Sequence, residues 1–162
     1  MLGPQEAVLV ANLLLSRARL ELSMGNRKEA KRTAKMALQL ISPQQHSILL
    51  AQGLVVLAQT YQEDKPERAM KQYQQALAIL RYLLGEDHVD VALTIYHIGN
   101  LHTQLECFDL AKDCYTESLR IYQIHGHAMD ICTSLASLGW IQLLQNQNEL
   151  ALQTSMEDAL DL

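Results

Sequence analysis

Alanine recurs at positions 30, 69, 111 and 151, with gaps of 39, 42 and 40 between them. A spacing that regular marks one supersecondary unit used four times, and a period of about 40 residues holds two helices with the turns that join them. The unit is clearest from Leu84 to Tyr122, which reads as a loop followed by two amphipathic helices and a short turn between them. In its first helix Ile95, Ile98, Gly99 and His102 fall at helical spacing; in its second, Ala111, Tyr115 and Ser118 do. Antiparallel helices approach closely only where the side chains at their crossing are small. Gly99 and Ala111 therefore mark the crossing, and Ile95 and Tyr115 fill the space above and below it.

The same slots can be followed along the chain. Pro4 to Met24 reads as a first helix, with Pro4 suited to its first turn and Gly25-Asn26 to its end. Arg27 to Ile41 is the second helix, with Ala30, Ala34 and Ala37 opposite Ala18, and Ser42-Pro43 breaks it. The next pair spans about 44–62 and 65–84, where Leu54, Leu57, Ala58 and Tyr61 are answered by Ala69, Tyr73 and Ala76. The step from Tyr61 to Ala69 is one position shorter than that from His102 to Ala111, which predicts the tighter turn in the second unit. Gly85 can close that pair in a left-handed conformation, and Asp87 with Asp90 resembles a capping box for the next helix. A fourth pair begins near Ala128, with Leu135, Leu138, Gly139 and Gln142 in first-helix slots and Ala151 and Ser155 in second-helix slots. The expectation is one all-α domain over 1–162, with repeats at approximately 4–42, 44–84, 87–125 and 128–162. It has eight antiparallel helices, with Gly99, Gly139, Ala18 and Ala58 at the crossings within the pairs.

Composition agrees with helices throughout. Hydrophobic residues are 49% of the chain, charged residues 19% and aromatics only 5%, enough apolar material for a sizeable core with few strand-type runs. A net charge of −5 with mixed signs argues against a nucleic-acid or anionic-membrane surface, which needs a basic face. Cys107, Cys114 and Cys132 are an odd number without paired spacing, which points to a reducing, cytoplasmic setting. The apolar run VLVANLLL near the start has no preceding lysine or arginine and is too short to span a bilayer, so it reads as a buried helix face.

These units resemble tetratricopeptide repeats, and the third resembles those of kinesin light chains. The longer repeat of that family carries a loop of the form LGEDHPDVA and IGNLY-like residues in the helix that follows. Here LGEDHVDVA occupies 84–92 and IGNLH 98–102, with Val89 in place of proline and His102 in place of tyrosine. The resemblance implies a right-handed superhelix of helix pairs whose first helices line a concave groove that takes an extended or helical peptide. The groove-facing slots it implies are Asn12, Leu15 and Arg19, then Gln52, Val55 and Gln59, then Tyr96, Asn100 and Thr103, then Ala136, Trp140 and Leu143. The amide of Asn100 can hydrogen-bond a peptide backbone whatever its sequence, or it can be a solvated polar residue. Trp140 and Tyr96 can be anchors on the groove wall or can pack against neighbouring repeats. A basic clamp for a terminal carboxylate needs several cations in these slots, and only Arg19 is there.

No motif for catalysis or for a cofactor accompanies this architecture. Phosphate-loop, nucleophile and metalloprotease patterns are absent, and His125, His127 and Asp130 form at best a loose surface site. The chain therefore reads as a non-enzymatic interaction module without cofactor or metal, with a protein or peptide partner. Two other readings are a structural segment of a larger repeat subunit and a small-ligand sensor. The terminal helices lack polar caps: Val8, Leu9, Val10, Leu13, Leu14 and Leu15 ring the first helix, and Leu152, Met156 and Ala159 lie on the outer side of the last. They predict a longer array or self-association.

Overall fold

The computed structural model describes residues 3–41 and 47–160, the last ten as backbone only. The break expected at Ser42-Pro43 and the outward slots Leu152, Met156 and Ala159 lie outside the residues so described. Seven helices and no strand are present among them: α1 (Pro4–Ser23), α2 (Arg27–Leu40), α3 (Ile48–Tyr61), α4 (Pro66–Leu84), α5 (Val89–Gln104), α6 (Phe108–His125) and α7 (Ala128–Leu160). Helices α1 and α2, α3 and α4, and α5 and α6 form three close pairs. Each pair packs on the next, and α1 also touches α3.

The helix ends have local causes. Pro4 and Pro66 occupy first-turn positions, where a missing N–H costs nothing, and Glu6 accepts from the Gly3 N–H at 2.8 Å. Gly25 (φ 78°) turns the chain between α1 and α2. Gly85 sits at φ 88° and ψ 169°, a region only glycine enters readily. The start of α5 departs from the expected Asp87 and Asp90 capping box. His88 is the capping residue, its Nδ1 accepting from the Asp90 N–H at 3.1 Å. Asp87 is instead drawn to Arg120 of α6, at 2.5 Å. The position missing between Tyr61 and Ala69 is also not taken from the turn: α3 stops at Tyr61, whereas α5 continues past His102 to Gln104.

Small residues set the crossings in the first three units. Ala18, Ala58, Ala30, Ala69 and Ala111 are fully buried. A Cβ at Gly99 would stand 2.8 Å from Tyr115 Cε1 and 3.1 Å from Cys114 Cβ. Large residues fill the remainder, with Tyr61, Tyr73, Leu80, Leu101 and Ile121 all buried. Gly53 makes a further close approach that the repeat pattern does not show, since a Cβ there would meet Leu38 Cδ2 at 2.6 Å.

The fourth unit is not a helix pair. Residues 128–160 form one uninterrupted helix, so the described helices number seven and not eight, and Gly139 is at no crossing: a Cβ there meets nothing within 4 Å. The stretch from Ile141 to Leu150 holds no glycine or proline. That alone does not explain the difference, because the α5–α6 turn has none either; it closes by placing Glu106 at φ 59°. A non-glycine residue there costs roughly 1–2 kcal/mol. In the third unit the cost is offset by burying Tyr115, which is 3% exposed. One repeat further on, that slot is Ser155, which has no ring to bury, and the helix continues.

Candidate functional site

The first helices α5 and α7 face each other across a groove, and α6 supplies its floor. Between them lies a pocket of about 370 Å³ bordered by Asn100 and Thr103 of α5, Tyr115 of α6, and Ala136, Ser137 and Trp140 of α7. Four groove slots read from the sequence, Asn100, Thr103, Ala136 and Trp140, thus meet in one place. They do so because Gly99 lets α6 approach α5 until Tyr115 reaches under Asn100.

The polar groups of this pocket are tied together. Tyr115 Oη donates to Asn100 Oδ1 at 2.7 Å and lies 3.0 Å from Thr103 Oγ1, whose own proton is shared with the Gly99 carbonyl, also at 3.0 Å. Asn100 is therefore half-buried and held by its oxygen, not freely solvated, and its Nδ2 protons have no partner among the described residues. Burial raises the Tyr115 phenol above its ordinary value, against a smaller downward pull from the Thr103 hydrogen bond, which keeps it a neutral donor. Ser137 donates to the Thr133 carbonyl at 3.0 Å, so in its 3.0 Å contact with Tyr96 the phenol is the donor. Tyr96 thus braces α7 from behind, its ring 5.3 Å from that of Tyr115. Trp140 is 57% exposed, with its indole on the groove wall and not in a repeat interface.

The other slots are spread along the groove. Asn12 and Arg19 are exposed on α1, and Gln52 and Gln59 are half-buried on α3. Leu143 is exposed on α7 outside the pocket. Gln59 Nε2 donates to His97 Nε2 at 3.1 Å, and the His97 ring stacks on Tyr73 at 6.0 Å. Burial lowers the His97 imidazole to about 4, with a smaller push from the Arg19 charge, so it is neutral and can accept. Leu15 and Val55 do not face the groove as expected. Both are buried in the core, Leu15 in a cluster with Ala11, Ala37 and Ile41 and Val55 in the main cluster.

Three residues of the site were not evident from the repeat slots. Tyr115 is expected at the crossing only, and its hydroxyl reaches the groove because of its length. Thr133 and Ser137 stand two turns and one turn before Trp140 on the same face of α7, at the i−7 and i−3 spacing that could have flagged them.

Residues 83–161 match the Tetratricopeptide repeat family. The chain carries tetratricopeptide repeats over these residues. A search of curated protein sequences finds no match. Among solved structures the fold is similar to BtubC (BKLC) from P. vanneervenii, with a TM-score of 0.65 and 20% identity over 90% of this chain and 67% of that one. It is also similar to the apo form of RapI, with a TM-score of 0.71 and 17% identity over 91% of this chain and 41% of that one. The chain thus spans less than half the length of RapI. No described helix of this repeat protein is long and apolar enough to cross a membrane.

Proposed function

We propose that this protein is a non-enzymatic adaptor that binds an extended peptide segment of a partner in the groove between α5 and α7, in the manner of a kinesin light chain. The observation that carries the reading is the state of Asn100. Tyr115 occupies its oxygen, so the free amide protons present a donor to the groove, and a donor fixed beside an exposed tryptophan fits a peptide carbonyl followed by an apolar side chain. Arg19 adds one positive charge further along the groove, suited to a single acidic residue and too little for a carboxylate clamp. The half-buried glutamines between them suit backbone contacts.

A second reading, a segment of a longer array holding a fixed partner chain, is supported by the open side of α7 at Gly139. The two separate on whether the free protein binds reversibly. Peptides selected from a random display library would be titrated calorimetrically against three proteins, the wild type and two variants. Asn100→Asp keeps the acceptor for Tyr115 but replaces the groove donor by a charge. It should weaken binding at least tenfold, about 1.4 kcal/mol, with little change in melting. Trp140→Ala should weaken it by about 2 kcal/mol or more, as the loss of an anchor that becomes buried on binding. Unchanged affinity in both variants places the peptide elsewhere and refutes the site.

A further inference from the structure

On the side of α7 away from Trp140 lies a second crevice, of about 430 Å³, between Lys112 and Thr116 of α6 and Leu138, Gly139, Gln142 and Gln145 of α7. The equivalent side of α5 is covered by α6, whose Tyr115 and Cys114 press against Gly99. The crevice is therefore the seat of the second helix that the fourth unit lacks. The chain carries a sequence for that helix: Ala151, Thr154 and Ser155 stand one repeat interval after Ala111, Cys114 and Tyr115, and the repeat-family match runs on to residue 161. Within one chain that segment cannot reach the crevice. Along a continuous helix, Ser155 lies roughly 24 Å beyond Gly139, at 1.5 Å per residue.

We propose that a second copy of this chain supplies the missing helix, residues 149–160 of each protomer seating against Gly139 of the other in a closed, twofold, exchanged dimer. Two features favour a second copy over fold-back within one chain. Fold-back needs a turn at Asn146, the position matching Glu106 at φ 59°, whereas exchange leaves α7 straight and avoids that strain. Exchange also fills two crevices in one closed contact, which stops growth at the dimer. The inference is independent of peptide binding in the groove.

The test is the mass of the whole chain by light scattering across roughly 1–100 µM, the range of modest affinities. The expected result is a concentration-dependent dimer. Gly139→Leu projects into the open crevice, where an added Cβ meets nothing within 4 Å, and should leave helix content unchanged while returning the protein to monomer. The double variant Asn146→Gly with Asn148→Pro restores a turn and a first-turn proline, and should be monomeric with the crevice filled from within. A wild type that stays monomeric at the highest concentration overturns the proposal, and so does a dimer that both variants retain.

Discussion

Replacing Gly99 by alanine adds one methyl group where α5 and α6 cross, and the structure gives what that methyl meets: Tyr115 Cε1 at 2.8 Å, Tyr115 Cδ1 at 3.0 Å and Cys114 Cβ at 3.1 Å. Neither neighbour yields easily. The Tyr115 ring is buried and tethered through its hydroxyl to Asn100, and the Cys114 atom is the first of its side chain, fixed to the backbone. Overpacking of this kind costs about 1–3 kcal/mol. Alanine in place of glycine inside a helix returns about 0.5–1 kcal/mol. The net loss lies between about 0 and 2.5 kcal/mol, centred near about 1 kcal/mol, or roughly 2–4 °C in melting temperature at that centre for a chain of this size. Gly53→Ala is the control. Its nearest contact, at 2.6 Å, is a terminal methyl of Leu38, which can rotate away, so the loss there should be smaller. Thermal melts followed by circular dichroism give both values, and a double-mutant cycle with Tyr115→Leu should recover most of the Gly99→Ala loss. A rise in melting temperature for Gly99→Ala, the outcome at an unobstructed helix position, would refute the crossing.

Two other perturbations follow from single residues. His97 has a native value of about 4 against an ordinary 6.5, so the unfolded chain takes up a proton first as pH falls. Stability present above pH 6.5 should be lost progressively toward pH 4, by up to about 3 kcal/mol. Urea unfolding at pH 7 and pH 5 checks this, and a pH dependence equally steep in His97→Gln would refute it. His102, also lowered by burial, contributes in the same direction and sets the residual slope. Glu106→Gly relieves a positive φ of 59° and should stabilise the protein by about 1 kcal/mol; a lower melting temperature would show that the carboxylate side chain matters more than the backbone.

The three complete pairs were legible because their signals are volumes. Alanines 30, 69 and 111 recur where helices touch, and Gly99 stands opposite Tyr115; a periodic reading finds such positions without knowing any contact. The fourth pair misled for a physical reason. Its alanine and glycine are in register, but whether a turn forms depends on what its closure buries, and the decisive change from Tyr115 to Ser155 lies away from the turn. The α5 cap was misread because Asp87, expected as the capping residue, pairs with Arg120 and leaves the role to His88 one position on. In the site, slot positions identified Asn100, Thr103 and Trp140, yet not that the Asn100 oxygen is taken. Hydroxyl reach across a helix pair is a property of the closed pair and has no period in the sequence.

That difference in support bears on how the two main groove residues can act. Asn100 belongs to a helix covered on both sides, by α4 of the preceding unit and by α6 of its own, and its amide is oriented by Tyr115. Trp140 belongs to a helix packed on one side only. Its position relative to α5 and α6 is set by buried Ile141, by the Tyr96 contact to Ser137 at 3.0 Å and by Gln145 donating to Asp109 at 2.9 Å. A group already held in place loses little freedom on binding, whereas an exposed large side chain on a less supported helix has both its rotamers and its backbone to order. Asn100 therefore offers one directed hydrogen bond at low ordering cost, and Trp140 offers far more contact area at a higher one. Sequence-independent backbone recognition is accordingly built into the third repeat, while side-chain preference falls to α7, the helix whose placement depends most on what fills the crevice beside Gly139.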